Sequence, residues 1–310
     1  MTVALLFPGQ GTQHEAMLPW LEEHDAARAV LKRMASAIGA DWRARLADAA
    51  WSRQNAIAQP LITGTSLAAW SVLAGNLPRV VAVAGYSVGE LSSSAAAGML
   101  PIDDALALAV RRAAAMDACP DAAAGGLMGV SNVPEQAVAA VCEQWGLEVA
   151  IRTGDHRCIL GGPRPGLAAA ADRLAQQGAT TTLLCVSVAS HTRAMQAAVP
   201  VLAQALAEAT WRPAGPPWVA GITGHVVREL AQVRRALAEQ VATTVRWDAC
   251  MDTVAERRPD AVLEVGAGTT LSRLWRERHP AIPARSCDEF AQPAQLLEWL
   301  DLVGARAQSH

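Results

Sequence analysis

The sequence is short of lysine, tyrosine and phenylalanine. Lys32 is the single lysine and Tyr86 the single tyrosine, and only 2 phenylalanines occur in 310 residues. The cations are scattered arginines and the net charge is −3, so no basic stripe suits a nucleic-acid backbone and no nucleic-acid partner is expected. No C-x-x-C pair occurs. Cys119, Cys142, Cys158, Cys185, Cys250 and Cys287 lie far apart, and none has a histidine at metal-ligand spacing. They read as reduced core thiols, which implies a cytoplasmic setting and no metal site. No uncharged apolar run is expected to reach the roughly 18 to 20 residues of a bilayer span, so no membrane is expected either. The opening Met1-Thr-Val-Ala-Leu-Leu-Phe7 lacks a basic n-region and runs straight into Pro8-Gly9. It reads as a first strand and not as a signal peptide.

What is present is the texture of a large α/β core, with 52% hydrophobic and 18% charged residues. The stretch Val80-Val-Ala-Val-Ala-Gly-Tyr-Ser-Val-Gly-Glu90 organises it. It predicts a buried strand, a G-x-S-x-G turn centred on Ser87, and a helix. Such a turn lifts a serine hydroxyl to the tip of a sharp bend above a helix N-terminus, where the following N–H can serve an oxyanion. The plainer alternative is an ordinary strand-to-helix turn. Val3 to Phe7 predicts another strand, and the amide-rich loop Pro8-Gly-Gln-Gly-Thr-Gln13 follows it. That loop lacks the Lys-Ser/Thr of a phosphate-gripping loop, but it lies at the carboxyl end of a strand, where open α/β sheets place their sites.

Along the chain, periodicity predicts a helix from Leu18 to Leu46 interrupted at Gly39, a helix opening at Gln59-Pro60, and one from Ile102 to about Cys119. Arg111 and Arg112 fall within this last apolar helix, about 100° apart in direction, so one of them is an inward cation. A buried cation needs a partner, which is either a structural carboxylate or a substrate carboxylate. Gly125 to Ser131, Leu147 to Ile151, Arg157 to Gly161 and Thr180 to Val188 read as strands. With helices Pro134 to Trp145 and Pro165 to Gln177 they form a β-α-β-β-α-β, ferredoxin-like pattern. The expected organisation is a large α/β-hydrolase-like catalytic domain with a mostly parallel sheet, residues 1–123 and 190–310. A small ferredoxin-like subdomain, 124–189, is inserted in it, with hinges near Ala122 to Ala124 and at Ala189.

Ser190-His-Thr192 is expected to open a long helix ending near Ala209, with Ser190 as N-cap. The helix dipole would then hold His191 neutral and available as a base. His14, His24, His279 and His310 lie in polar or terminal stretches and are poor candidates, whereas His156 and His225, in loops, stay open. Further on, a strand Trp218 to Thr223, a helix Val233 to Val241 containing Gln240, and a helix Asp248 to Arg257 are expected. A strand Ala261 to Gly266, a helix Leu271 to Arg278, a short strand near Ile282 to Arg285 and a helix Pro293 to Leu302 complete the reading.

Read together, several motifs resemble one family. Phe7-Pro-Gly-Gln-Gly-Thr-Gln13 resembles F-P-G-Q-G-S-Q, and Gly85-Tyr-Ser-Val-Gly-Glu90 resembles G-H-S-x-G-E. Arg112 with Ala-Ala-Ala-Met116 is similar to R-G-x-x-M, and Val188-Ala-Ser-His191 to V-P-S-H. Gln240 with Val245-Arg-Trp247 is similar to Q-x-x-x-P-V-x-W, and Glu264-Val-Gly-Ala-Gly268 to E-V-G-P-G. In order and over nearly the whole chain, these mark the malonyl-CoA:acyl-carrier-protein transacylase family. The resemblance implies transfer of a malonyl group from malonyl-CoA, with no bound cofactor, to the pantetheine-type thiol of an acyl carrier protein. The chain would act as a monomer or within a multi-enzyme pathway. Ser87 would be the nucleophile, His191 the base and Gln240 the residue whose carbonyl orients it. The N–H groups of Gln10 and Val88 would form the oxyanion hole, and Arg112 would grip the malonyl carboxylate.

Three departures stand out. Tyr86 replaces the usual histidine beside the serine. Ile151-Arg-Thr-Gly-Asp-His156, with Arg152, lacks N-x-N-x-P-x-Q, and Gly221-Ile-Thr-Gly-His225 lacks the usual V-x-N-N/V-T. They bear on contacts to CoA or carrier pantetheine and suggest a specialised member. Examples would be the transacylase subunit of a malonate decarboxylase or a stand-alone polyketide acyltransferase. The alternatives are a serine hydrolase or thioesterase, which shares G-x-S-x-G, and a docking subunit of a larger complex.

Overall fold

In the computed structural model, which describes residues 1–120 and 122–307, apolar strands gather into two sheets. In chain order the strands are β1 (Thr2–Phe7), β2 (Arg79–Gly85), β3 (Gly125–Ser131), β4 (Glu148–Gly154), β5 (Arg157–Pro163) and β6 (Thr180–Leu183). They continue with β7 (Trp218–Ala220), β8 (His225–Val227), β9 (Val245–Arg246), β10 (Ala261–Glu264) and β11 (Ala284–Ser286). The larger sheet has the order β11-β10-β1-β2-β7-β8 and is parallel except for β8, which runs antiparallel to β7. Val3 to Phe7 are fully buried, as strands covered on both faces must be. The fold is α/β, of the hydrolase-like kind that the strand and helix alternation implied.

The smaller sheet has the order β6-β3-β5-β4-β9. Its first four strands pair antiparallel, and helices Glu135–Trp145 and Arg164–Ala175 connect them in the expected β-α-β-β-α-β sequence. These helices bury one face of the sheet through Met128, Val130, Leu160, Leu167 and Leu174. Leu127, Ala150 and Ile151 on its other face join a core that reaches Ala4, Leu6, Ala84 and Trp247. Strand β9 comes from outside residues 124–189 and pairs parallel to β4, Val245 opposite Ile151.

Several expectations change. The helix predicted to open at Gln59-Pro60 is Asn55–Leu73, with Pro60 inside it. Its 19 residues carry no charge, so an apolar run of spanning length does exist. Of its most apolar stretch 72% is buried inside the protein, and the helix packs against helices Asp25–Ile38 and Ile102–Asp117. The β6 strand ends at Leu183 and does not reach Val188; after Leu184 donates to the Leu127 carbonyl (2.8 Å) the chain leaves the sheet. Trp218 to Thr223 shortens to β7 because Thr223 and Gly224 turn the chain back into β8. Of the thiols expected in the core, Cys185 is exposed and Cys142 half-buried, and the cysteines form no disulfide. His310 lies outside the described residues.

What positions the site is the register of the two central strands. Phe7 of β1 pairs with Gly85 of β2, so the loop after each strand leaves the sheet beside the other. The Tyr86 N–H donates to the Phe7 carbonyl at 2.9 Å and joins them.

Candidate active site

The turn after β2 is a true elbow. Ser87 has φ of 55°, the left-handed region that costs a side-chain-bearing residue energy. The neighbouring glycines are required by close approach. A Cβ on Gly85 would stand 2.2 Å from the Glu90 nitrogen, and one on Gly89 would stand 2.2 Å from the Phe7 oxygen. Helix Gly89–Ala96 follows, with Val88 at its N-cap.

His191 meets this serine from the other side. Its Nε2 lies 2.8 Å from Ser87 Oγ, and its Nδ1 lies 2.7 Å from the Gln240 carbonyl oxygen. A carbonyl can only accept, so Nδ1 carries the proton and Nε2 is left to accept from the serine hydroxyl. The expected helix start at Ser190 is not there. His191 has φ of 64°, and its N–H donates to the Val241 carbonyl at 2.7 Å. Thr192 caps a short 3-10 turn, Arg193–Met195, and the long helix begins only at Ala198. No helix dipole therefore holds the ring neutral. Burial does so first and the Arg112 charge second, against the hydrogen bond to Gln240, and together they bring its pKa down to about 3.

Of the two adjacent arginines, Arg111 points outward and pairs with Glu208 at 2.6 Å. Arg112 is inward and 4% exposed. Its Nη1 donates to Gln59 Oε1 (2.8 Å), and its Nη2 to Gln240 Oε1 (3.0 Å) and Ser87 Oγ (3.4 Å). Its hydrogen-bond partners are thus amides and a hydroxyl, and among the described residues it has no ion pair. The charge facing it is Glu90, fully buried, whose Oε1 accepts the Gly221 N–H. Burial raises the Glu90 carboxyl to about 8 and lowers Arg112 to about 10, with each partner opposing the other's shift.

Gln240 does more than orient the histidine. Its side chain accepts from Arg112 and donates to the Ser87 carbonyl (3.2 Å), so one residue ties Ser87, His191 and Arg112 together. Sequence reasoning did not find Gln59 or Glu90. A polar residue in an apolar helix is the one signal for Gln59, and a place in the serine motif the one for Glu90.

A cleft of about 670 Å³ opens on the serine, lined by Gln10, Tyr86, Ser87, Arg112, Leu184 and His191 among others. Tyr86 stands on the Trp247 ring edge-to-face at 5.2 Å. Arg152 lies elsewhere, exposed and paired with Glu135 at 3.1 Å. His156 lines a separate cavity, and His225 is exposed on the edge strand β8. No group of acidic, histidine and cysteine side chains able to hold a metal occurs among the described residues.

An α/β fold that presents a strained serine, a neutral histidine and a buried arginine to one cleft has the groups a serine-based acyl transfer would use. Residues 4–283 match the acyl transferase domain family. The chain is 33% identical to malonyl CoA-acyl carrier protein transacylase of Mycobacterium tuberculosis strain ATCC 25618 / H37Rv, over 97% of this chain and 100% of that one. Among solved structures, it superposes on acyl-carrier-protein-S-malonyltransferase from Bartonella henselae with a TM-score of 0.88 and 26% identity, covering 98% of this chain and 100% of that one. Malonyl-CoA:acyl carrier protein transacylase from Xanthomonas oryzae pv. oryzae KACC10331 gives a TM-score of 0.88 and 28% identity, covering 97% and 99%. The chain belongs to the malonyl-CoA:acyl-carrier-protein transacylase family.

Proposed function

We propose that this chain moves a malonyl group from malonyl-CoA to the pantetheine-type thiol of an acyl carrier protein, through an ester on Ser87. The observation that carries the reading is Arg112, a buried cation whose hydrogen bonds all go to neutral groups, 3.4 Å from the Ser87 hydroxyl oxygen. A malonyl carboxylate entering beside the serine supplies the direct ion pair that Arg112 does not make with Glu90, in the bidentate geometry a guanidinium favours.

The first half-reaction begins when Ser87 Oγ gives its proton to His191 Nε2 and attacks the thioester carbonyl. The oxyanion that forms is received by the N–H groups of Gln10 and Val88. Its collapse breaks the C–S bond, and His191 returns the proton to the departing CoA thiolate. In the second half the carrier thiol gives its proton to His191 and attacks the ester, and Ser87 leaves with that proton. Gln240 orients the base throughout. Its neutral carbonyl stands where a carboxylate stands in a Ser-His-Asp triad. In this reading residues 124–189 form a small unit over the cleft, hinged near Ala122 to Ala124 and at Ala189 and completed by strand β9. Six unpaired thiols fit a cytoplasmic setting.

Mass spectrometry after mixing with malonyl-CoA is expected to find one malonyl group on the Ser87 peptide, which carrier thiol then removes faster than water does. Arg112→Ala is expected to lower malonyl acylation by about 10²-fold or more, the scale of an unpaired buried charge, while acetyl acylation falls far less. Equal losses for both acyl groups, or no adduct on folded wild-type protein, would overturn the assignment.

A further inference from the structure

The loop after β1 is tied to the rest of the molecule by a chain of side-chain amides that the acyl chemistry described above does not use. Gln10 Nε2 donates to Asn55 Oδ1 at 3.0 Å, and Asn55 Nδ2 donates to Asp117 Oδ1 at 2.7 Å. Asn55 is 1% exposed, at the first turn of helix Asn55–Leu73, and Asp117 is the last residue of helix Ile102–Asp117. A carboxylate only accepts hydrogen bonds, so the Asp117 end decides which way the Asn55 amide faces. Its oxygen is left pointing at Gln10, which can answer only with its own N–H₂. The polarity of the whole relay is therefore set from Asp117 outward.

A second strap runs parallel to the first. Gln13 Nε2 donates to the Ser52 carbonyl (2.8 Å), and Gln13 Oε1 accepts the Gly11 N–H (2.7 Å). The same two helices are also pinned by the bond from Arg112 to Gln59. Arg112 and Asp117 are five residues apart on one helix, and Gln59 and Asn55 four apart on the other. The helix that carries the substrate cation thus also carries the anchor of the loop facing it.

We infer that Asn55 and Asp117 are positioning residues, which hold Gln10 so that its backbone N–H meets the oxyanion formed at Ser87. The inference rests on the acyl-transfer reading of the site and adds two residues that touch no substrate. An oxyanion donor works only when it is preorganised at hydrogen-bond distance from the developing charge, and a misplacement of about 1 Å costs on the order of 10²-fold in rate. A loop with two glycines in six residues does not hold such a position unaided.

The test is rapid-quench measurement of Ser87 acylation by malonyl-CoA and by acetyl-CoA. Asn55→Asp removes the donor and sets carboxylate against carboxylate at Asp117. It is expected to slow acylation about 10-fold or more with both thioesters, with KM changed less than about 2-fold, because an oxyanion donor acts on any acyl group. The double variant N55D/D117N restores the hydrogen-bond polarity, since the amide placed at 117 can donate to the carboxylate at 55, whose other oxygen still accepts from Gln10. Its rate is expected to return to within about 3-fold of wild type, a rescue that general loosening of the fold would not give. Gln10→Ala keeps the backbone N–H but cuts the tether at a loop, so it reads the same effect should Asn55→Asp fold poorly. Wild-type rates in Asn55→Asp or Gln10→Ala, or a double variant as slow as the single one, would overturn the relay while leaving acyl transfer intact. A wild-type protein that forms no Ser87 ester would instead remove the acyl-transfer reading and the relay with it.

Discussion

At the scale of single residues, chemistry and strain coincide. Ser87 and His191 both hold positive φ, and both are locked by bonds to residues remote in sequence. The strand-turn-helix pattern marks Ser87, and an apolar helix marks one inward arginine of Arg111 and Arg112, whereas only the family resemblance singles out Gln240 and Gln10. Gln59 and Asn55 leave only an ambiguous mark and Glu90 only its place in a motif, since a polar residue in an apolar helix looks the same whether it braces a site or faces solvent. The cause of His191's neutrality also differs from the helix dipole that the sequence suggested, and it has a pH consequence. The base form is the deprotonated one, and burial with the Arg112 charge holds the ring near 3 in place of its ordinary 6.5. Falling pH should therefore leave acylation by acetyl-CoA, which has no titrating carboxylate, unaffected through pH 6.5. The acid limb of kcat/KM is expected below about pH 5 and should move up in Arg112→Gln, where the second cause is gone. A limb at 6.5 in the wild-type protein would show a solvated imidazole.

At the scale of elements, the strands and helices that bury one stripe or both faces stood out by period, and their ends did not. Pro60 suggested a helix start because proline is at home in a first turn, yet the helix begins at Asn55. Ser190 suggested an N-cap because of its hydroxyl, but Thr192 two residues on does the capping. Its Oγ1 accepts the Ala194 N–H at 3.3 Å and donates to the Ala189 carbonyl at 2.7 Å. The competing pull was His191's own bond to Val241, a contact no local pattern encodes. Thr192→Val is expected to cost about 1 kcal/mol in urea unfolding, the usual worth of a cap, and Ser190→Ala less than about 0.5 kcal/mol. The reverse order would restore Ser190 as the capping residue.

At the scale of the whole molecule, the order of strands along the chain announced two sheets, and the way they join was hidden. Strand β9 has two residues, about 90 positions from its partner β4, and nothing local marks it as part of the smaller sheet. Thr244 adds to the seam by donating to the Val149 carbonyl at 2.7 Å. Residues 124–189 alone would lose that edge and expose Leu127, Ala150 and Ile151, which are now buried with Trp247. The excised segment is expected to unfold without a cooperative thermal transition. A sharp transition by circular dichroism would show that its own two-helix core suffices.

Tyr86 remains, the single tyrosine, next to Ser87 in the chain and edge-to-face with the Trp247 ring. Growth on a fluorinated tyrosine would label this protein at one atom position only, one residue from Ser87 and against the wall of the cleft. The fluorine resonance of the whole molecule is then a single line. The free protein, the proposed Ser87 ester and the carrier-bound protein are expected to differ in where that line falls, with no engineered probe and no assignment to make.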